Sequence, residues 1–138
     1  MNKKLIVKLG LAVLSLSCSN LYAEKCSISS FSAQRLVLLP QQYNSTNFAF
    51  SVACQQNYTI LFSSLNSHSN DGVGFLKNGA NQIKVKMSAQ SHQNLPWGLP
   101  IQQNNNNQYF VTVSILEPIT TTTAAGIYKD NIKIQIEF

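Results

Sequence analysis

From Ile132 onward every second residue is apolar: Ile132, Ile134, Ile136 and Phe138 alternate with Lys133, Gln135 and Glu137. That is the two-residue period of a strand with one face on a core and the other in water. The strand reaches back to Gly126 (GIYKDNIKIQIEF), and no turn or partner strand follows it in the sequence. A closing strand of this kind, apolar on one face and open along one edge, invites another chain to add the next strand. Main-chain hydrogen bonds and alternate side-chain pockets would hold the addition.

The rest of the chain is patterned for the same architecture. Candidate strands cover Arg35 to Leu39, Asn47 to Ala53, Tyr58 to Phe62, Gly74 to Leu76, Gln82 to Ala89, Gln108 to Leu116 and Ile127 to Phe138. They are rich in Val, Ile, Phe and Tyr and are separated by clusters of Asn, Gly, Pro and Ser, the residues of turns. No stretch carries a helical stripe. Short strands at this spacing predict an all-β, immunoglobulin-like sandwich. The polar run Gln102 to Gln108 (QQNNNNQ) is expected to be a flexible loop, and Thr120 to Thr123 an extended lead into the final strand.

Residues 1–23 have a different character. Lys3 and Lys4 precede an apolar stretch centred on Leu9 to Leu16, and small or neutral residues lead up to Leu21-Tyr22-Ala23. This is the layout of a cleavable secretory signal, with the mature chain expected to begin near Glu24. The apolar stretch is shorter than the roughly 20 residues of a spanning helix. No membrane insertion of the mature chain is expected. The remaining residues, 24–138, are enough for a single domain with a real core and too few for two.

Cleavage there would discard Cys18 and leave one pair, Cys26 and Cys54, in an exported and oxidising setting, so a disulfide is the natural reading. On the chain-entropy account it stabilises the fold by about 3 to 4 kcal/mol. The signal also carries Lys3, Lys4 and Lys8, so the net charge of the mature chain is only about +2. That weak charge gives no basis for nucleic-acid binding, which calls for a clustered basic face. Lys84 and Lys86 alternate with Ile83, Val85 and Met87 and read as the solvated face of a strand.

Catalytic chemistry has little to stand on. The sequence holds no Gly-x-Ser-x-Gly elbow, no phosphate-cradling loop and no His-Glu-x-x-His, and its acidic residues are scattered singly. His68 and His92 lie in polar segments without metal-ligand spacing. The expectation is a non-enzyme with no catalytic residue, no metal and no cofactor.

Ala124-Ala125-Gly126-Ile127-Tyr128-Lys129-Asp130, followed by Ile132, Ile134 and Ile136, resembles the closing motif of the spore coat U domain, a family among the chaperone-usher pilins. A weaker likeness runs through Tyr58-Thr59-Ile60-Leu61, the 66–74 loop, Leu76 and Leu95-Pro96-Trp97-Gly98. The resemblance implies a six-stranded sandwich that lacks its last strand and so leaves a groove of core residues open. It implies a periplasmic chaperone that fills the groove, an outer-membrane usher, and neighbouring pilus subunits whose extensions replace the chaperone strand. On this reading Gly126, Tyr128, Ile132, Ile134, Ile136 and Phe138 form the groove. The protein would then pass through the periplasm to a surface fimbria or the medium.

The expected start at Glu24 leaves only two residues before Cys26, too few to donate a strand, and points to a tip or other fibre end. Cleavage near Ala12 would instead make Val13 to Ala23 a donor. The alternative is a self-contained secreted binding module on the same fold. Trp97, the single tryptophan, lies in the turn-rich Leu95-Pro96-Trp97-Gly98-Leu99-Pro100 and is either a candidate ligand contact or an anchor packed on the sandwich.

Overall fold

The computed structural model describes residues 3–14, 26–67 and 69–138. The expected cleavage point after Ala23, Cys18 and His68 lie outside them. Every regular element among the described residues is a strand. In chain order these are β1 (Lys3–Leu14), β2 (Cys26–Ser29), β3 (Arg35–Leu38), β4 (Ser45–Cys54), β5 (Tyr58–Ser64), β6 (Val73–Asn78), β7 (Asn81–Gln90), β8 (Asn94–Leu95), β9 (Ile101–Gln103), β10 (Asn107–Ile115) and β11 (Gly126–Glu137).

The strands form a curled sheet with two halves. One half runs β2-β4-β10-β7-β6, with β8 added on β7; the other runs β9-β5-β11-β1-β3. A single register pair, Lys129↔Lys77, joins β11 to β6 where the halves part. The side-chain amide of Asn66 bridges this parting by donating to the carbonyls of Phe75 and Lys129, each at 3.1 Å. It thus ties one strand of each half to the same side chain.

Alternation produces the core. In β4, β7, β10 and β11 inward residues alternate with exposed or half-exposed ones. The inward faces of the two halves meet as one hydrophobic cluster. Phe62 of β5 packs against Phe50 of β4 and Tyr109 of β10, with ring centroids 6.3 and 5.8 Å apart. The hydroxyls of Tyr58 and Tyr109 meet at 2.6 Å across the same interface, and Asn107 Nδ2 donates to Tyr58 at 3.2 Å. Burial and the Tyr58 hydroxyl hold Tyr109 neutral, well above the usual phenol range.

β2 lies antiparallel to β4 with Cys26 directly opposite Cys54, and the disulfide between them closes there. β6 and β7 form a hairpin whose two-residue loop opens with Gly79 at φ +60, the left-handed position that a tight hairpin turn assigns to glycine. Lys84 is exposed and Lys86 half-exposed, while Ile83, Val85 and Met87 are buried, the division that their alternation predicts.

Two polar stretches differ from expectation. Gln102 and Gln103 belong to β9, which pairs with β5, and Asn107 and Gln108 open β10, so only residues 104–106 form the loop. Their amides alternate around ladder positions, which a polar side chain can occupy on the outer face of a sheet. Thr120 to Thr123 is a turn closed by Thr123 N donating to Thr120 O at 3.1 Å, not an extended lead. The Thr123 hydroxyl accepts from Thr120 N at 3.1 Å, the local side-chain capping by which Thr competes with extended structure.

Candidate functional site

β11 carries the site. Its β-branched and aromatic residues favour a pleated strand, and Tyr128, Asp130, Ile132, Ile134 and Ile136 all turn inward and are buried. Gly126 opens the strand at φ +140, a conformation that L side chains rarely adopt. A side chain there would also collide with the Asn78 amide, so the position is specified twice over. The Tyr128 hydroxyl donates to Ala124 O at 2.7 Å and ties down the segment that leads into the strand. Phe138, just past the end of β11, is half-buried against the core.

Along one edge β11 pairs antiparallel with β5, from Ile132↔Ser64 to Glu137↔Thr59. Along the other it pairs in parallel with β1 over its whole length, from Lys3↔Gly126 to Leu14↔Glu137. The edge that the sequence leaves open is therefore taken by residues of the chain's own amino-terminal segment. β1 in turn pairs antiparallel with β3 through Leu5↔Leu38, Ile6↔Val37, Val7↔Leu36 and Lys8↔Arg35. Among the described strands β3 has no other ladder partner. Over Leu5–Lys8, β3 and β11 thus stand one strand apart and enclose a slot walled by Leu36, Leu38 and Tyr128, and the three isoleucines continue the β11 wall beyond β3. Leu5, Ile6 and Val7 are buried, whereas Lys4 and Lys8 are exposed.

The expected groove residues consequently divide by position. Tyr128, Ile132, Ile134 and Ile136 line the interior beside β1; Gly126 and Phe138 mark its two ends. Three wall residues were not anticipated. Leu36 and Leu38 announce themselves by alternation in Arg35-Leu36-Val37-Leu38, and Asp130 by sharing the parity of Tyr128 and Ile132.

Asp130 is 2% exposed. Its Oδ1 accepts from Asn131 N at 2.7 Å and Asn66 N at 3.1 Å, while Oδ2 has no partner. Burial pushes its carboxyl above the ordinary range, and the hydrogen-bond donors around it, the Asn131 and Asn66 N–H groups foremost and the Ser64 hydroxyl and Leu65 N–H after them, offset this only in part. The Ser64 hydroxyl on neighbouring β5 is also buried and faces this carboxyl without closing a hydrogen bond of good geometry to it.

Trp97 is packed against the sandwich in this fold. It is 3% exposed, its ring lies 6.1 Å from that of Phe62 at 25°, and Gly98 N donates to Phe62 O at 2.8 Å. The loop is pinned to β5 with the indole as its anchor, because an aromatic of that size contributes more inside the core than in water. His92 is exposed. Among the described residues no group of three or more His, Cys, Asp or Glu is placed to hold a metal ion, and no helix is long and apolar enough to cross a membrane.

No family model matches this sequence, and no curated protein does. Among solved structures, the chain is similar to one in the CsuC–CsuE chaperone–tip adhesion subunit pre-assembly complex from archaic chaperone-usher Csu pili of Acinetobacter baumannii. The TM-score is 0.51 at 19% identity, over 83% of this chain and 40% of the solved one. A fainter likeness, TM-score 0.40 at 8% identity, joins it to the CupB6 tip adhesin of Pseudomonas aeruginosa, over 96% of this chain and 40% of that one. The chain spans about two fifths of the length of either. At these identities the likeness to the Csu chain is one of fold.

Proposed function

We propose that this chain is a structural subunit of a surface fimbria assembled by the chaperone-usher route, and that its mature domain is one strand short. The observation that carries the reading is the slot between β3 and β11, filled here by a segment with the composition of a cleavable signal. Removing residues 1–23 would uncover Leu36, Leu38, Tyr128, Ile132, Ile134 and Ile136 along one line. It would also strand two rows of backbone N–H and C=O groups. Burial of Leu5 and Val7 alone is worth roughly 3 to 6 kcal/mol by apolar transfer, a sum comparable to the whole net stability of a small domain, about 5 to 15 kcal/mol. A mature chain without a replacement strand is therefore at the margin of folding.

The replacement comes from another protein by strand addition, in which main-chain bonds supply affinity and alternate pockets supply specificity. A periplasmic chaperone provides it first, and at the outer-membrane usher a neighbouring subunit takes over. The fold shared with a chain of a chaperone–tip subunit complex supports the chaperone as a partner. The narrower likeness to the spore coat U family rests chiefly on the 124–136 motif. The role is structural, with no cofactor and no nucleic acid. A mature start at Glu24 would place the subunit at the fibre tip, where a strand is received and none given.

A second reading, a self-contained secreted binding module, requires that residues 3–14 be kept, since β1 then closes the slot within one chain. Surface fractionation separates the two. With a chaperone and usher co-expressed, the chain is expected in fibres sheared from the cell surface and to vanish from them when the usher is omitted. Recovery as a soluble monomer in the medium, independent of both, would overturn the fimbrial assignment.

A further inference from the structure

We infer that the outward face of β4, β10 and β7 is a binding platform for a neutral polysaccharide, with Phe110 as its stacking surface. These strands belong to the half of the sandwich that does not hold the slot, so a strand entering between β3 and β11 leaves their outer face uncovered. The platform is thus independent of the fimbrial assignment.

Phe110 is 43% exposed and, among the described residues, is the one exposed aromatic on any strand. A single exposed phenylalanine is ordinary; its setting is not. The adjoining strands β2, β4 and β10 contain no Asp, Glu, Lys, Arg or His, whereas β3, β6, β7 and β11 all carry charge. Ala49 and Gln90 lie directly opposite Phe110 on its two sides, Thr112 and Ser88 form the next outward row, and Gln108 stands on the row before. The first charge met along β7 is Lys86, opposite Ser114 and about 14 Å from the Phe110 row at the usual rise of a strand. Ala49 is small enough to leave the ring open on its side. Its backbone is fixed by Ser32, whose N–H donates to Ala49 O at 3.0 Å and whose hydroxyl accepts from Ala49 N at 2.7 Å. The platform is therefore set before a ligand arrives, which limits the ordering cost of binding.

This chemistry selects the ligand. A sugar ring presents C–H groups on its face and hydroxyls on its rim, each hydroxyl both donor and acceptor. An aromatic face meets the first, and Gln, Ser and Thr side chains meet the second. An ionic polymer finds no counter-charge here, and a protein partner would find one phenylalanine where the middle of an interface is largely apolar.

The test takes the mature chain as recovered from the periplasm, in complex with a pilus chaperone or as a free monomer if it folds alone, with the chaperone by itself as blank. Retention is measured on cellulose, chitin and cross-linked dextran, and on alginate beads as an acidic control. Retention on at least one of the three neutral matrices is expected, and it should persist at about 1 M salt, where charge contacts are screened. Phe110→Ala should reduce the retained fraction roughly fivefold or more, the loss of one ring contact. Phe110→Trp should keep retention and Phe110→Leu should not, which separates stacking from plain apolar contact. Lys84→Gln, on the outer face of β7 beyond the platform, should bind as the parent does. Retention on none of the three, retention on alginate only, or equal retention of the parent and either Phe110→Ala or Phe110→Leu would overturn the inference. A Phe110→Ala protein that differs from the parent in size-exclusion elution and not in retention would also overturn it, by marking the face as a contact between copies of the chain. Recovery of the mature chain as a stable monomer without chaperone would sink the fimbrial reading and leave this test in force.

Discussion

Asp130 occupies an interior position on β11 between Tyr128 and Ile132, where burial penalises its charge. In the unfolded chain its carboxyl titrates near the ordinary value of about 3.9; in the fold burial raises it. Between those two values the native state holds more protons than the unfolded one. Stability therefore falls as pH rises through that window and stays lower above it. Asp130→Asn keeps an acceptor for Asn66 N and Asn131 N and removes the titration. Urea midpoints followed upward from about pH 4 should decline in the parent relative to Asp130→Asn, and a difference independent of pH would contradict the assignment. Asp71 tilts the curve the other way, since the Ser69 hydroxyl and Val73 N–H hold its carboxyl below the usual range. It does so equally in both proteins and cancels in the comparison.

At the scale of elements, β11 does two jobs with its two faces. Ile134 is buried between β5 and β1 while Lys133 is exposed, so Ile134→Ala in the full chain should cost about 2 to 5 kcal/mol and Lys133→Ala no more than about 0.5 kcal/mol. Chemical denaturation of both variants checks the contrast; similar losses would mean that β11 is not seated as described. All seven strands expected from alternation are present, because Val, Ile, Phe and Tyr at period two leave few other places for their side chains. β2, β8 and β9 escaped notice because each is four residues or fewer and largely polar, so that pairing with a neighbour, rather than their own pattern, makes them strands. β1 was hidden differently. Lysine-flanked Leu-Ile-Val reads as a secretory signal by composition, and the same residues satisfy a parallel ladder. The Asn66 bridge between β6 and β11 depends on where two sheet halves separate, which no local pattern encodes.

For the whole molecule, the sequence pointed to a strand acceptor through Gly126, Tyr128 and the alternating isoleucines, and the fold supplies the opposite wall, Leu36 and Leu38 of β3. Trp97 was less legible: a lone tryptophan in a proline-rich loop is consistent with a ligand platform or a core anchor, and its stacking on Phe62 is not encoded in the local pattern. What unites these features is a sandwich whose two halves share one core and whose β3 and β11 meet only through a strand placed between them. The most direct test expresses the chain from Glu24 in the periplasm with and without a pilus chaperone, followed by size-exclusion chromatography. A one-to-one complex with chaperone, and aggregation or degradation without it, is the predicted result. A stable, disulfide-closed monomer without chaperone would contradict the claim that the mature domain lacks a strand.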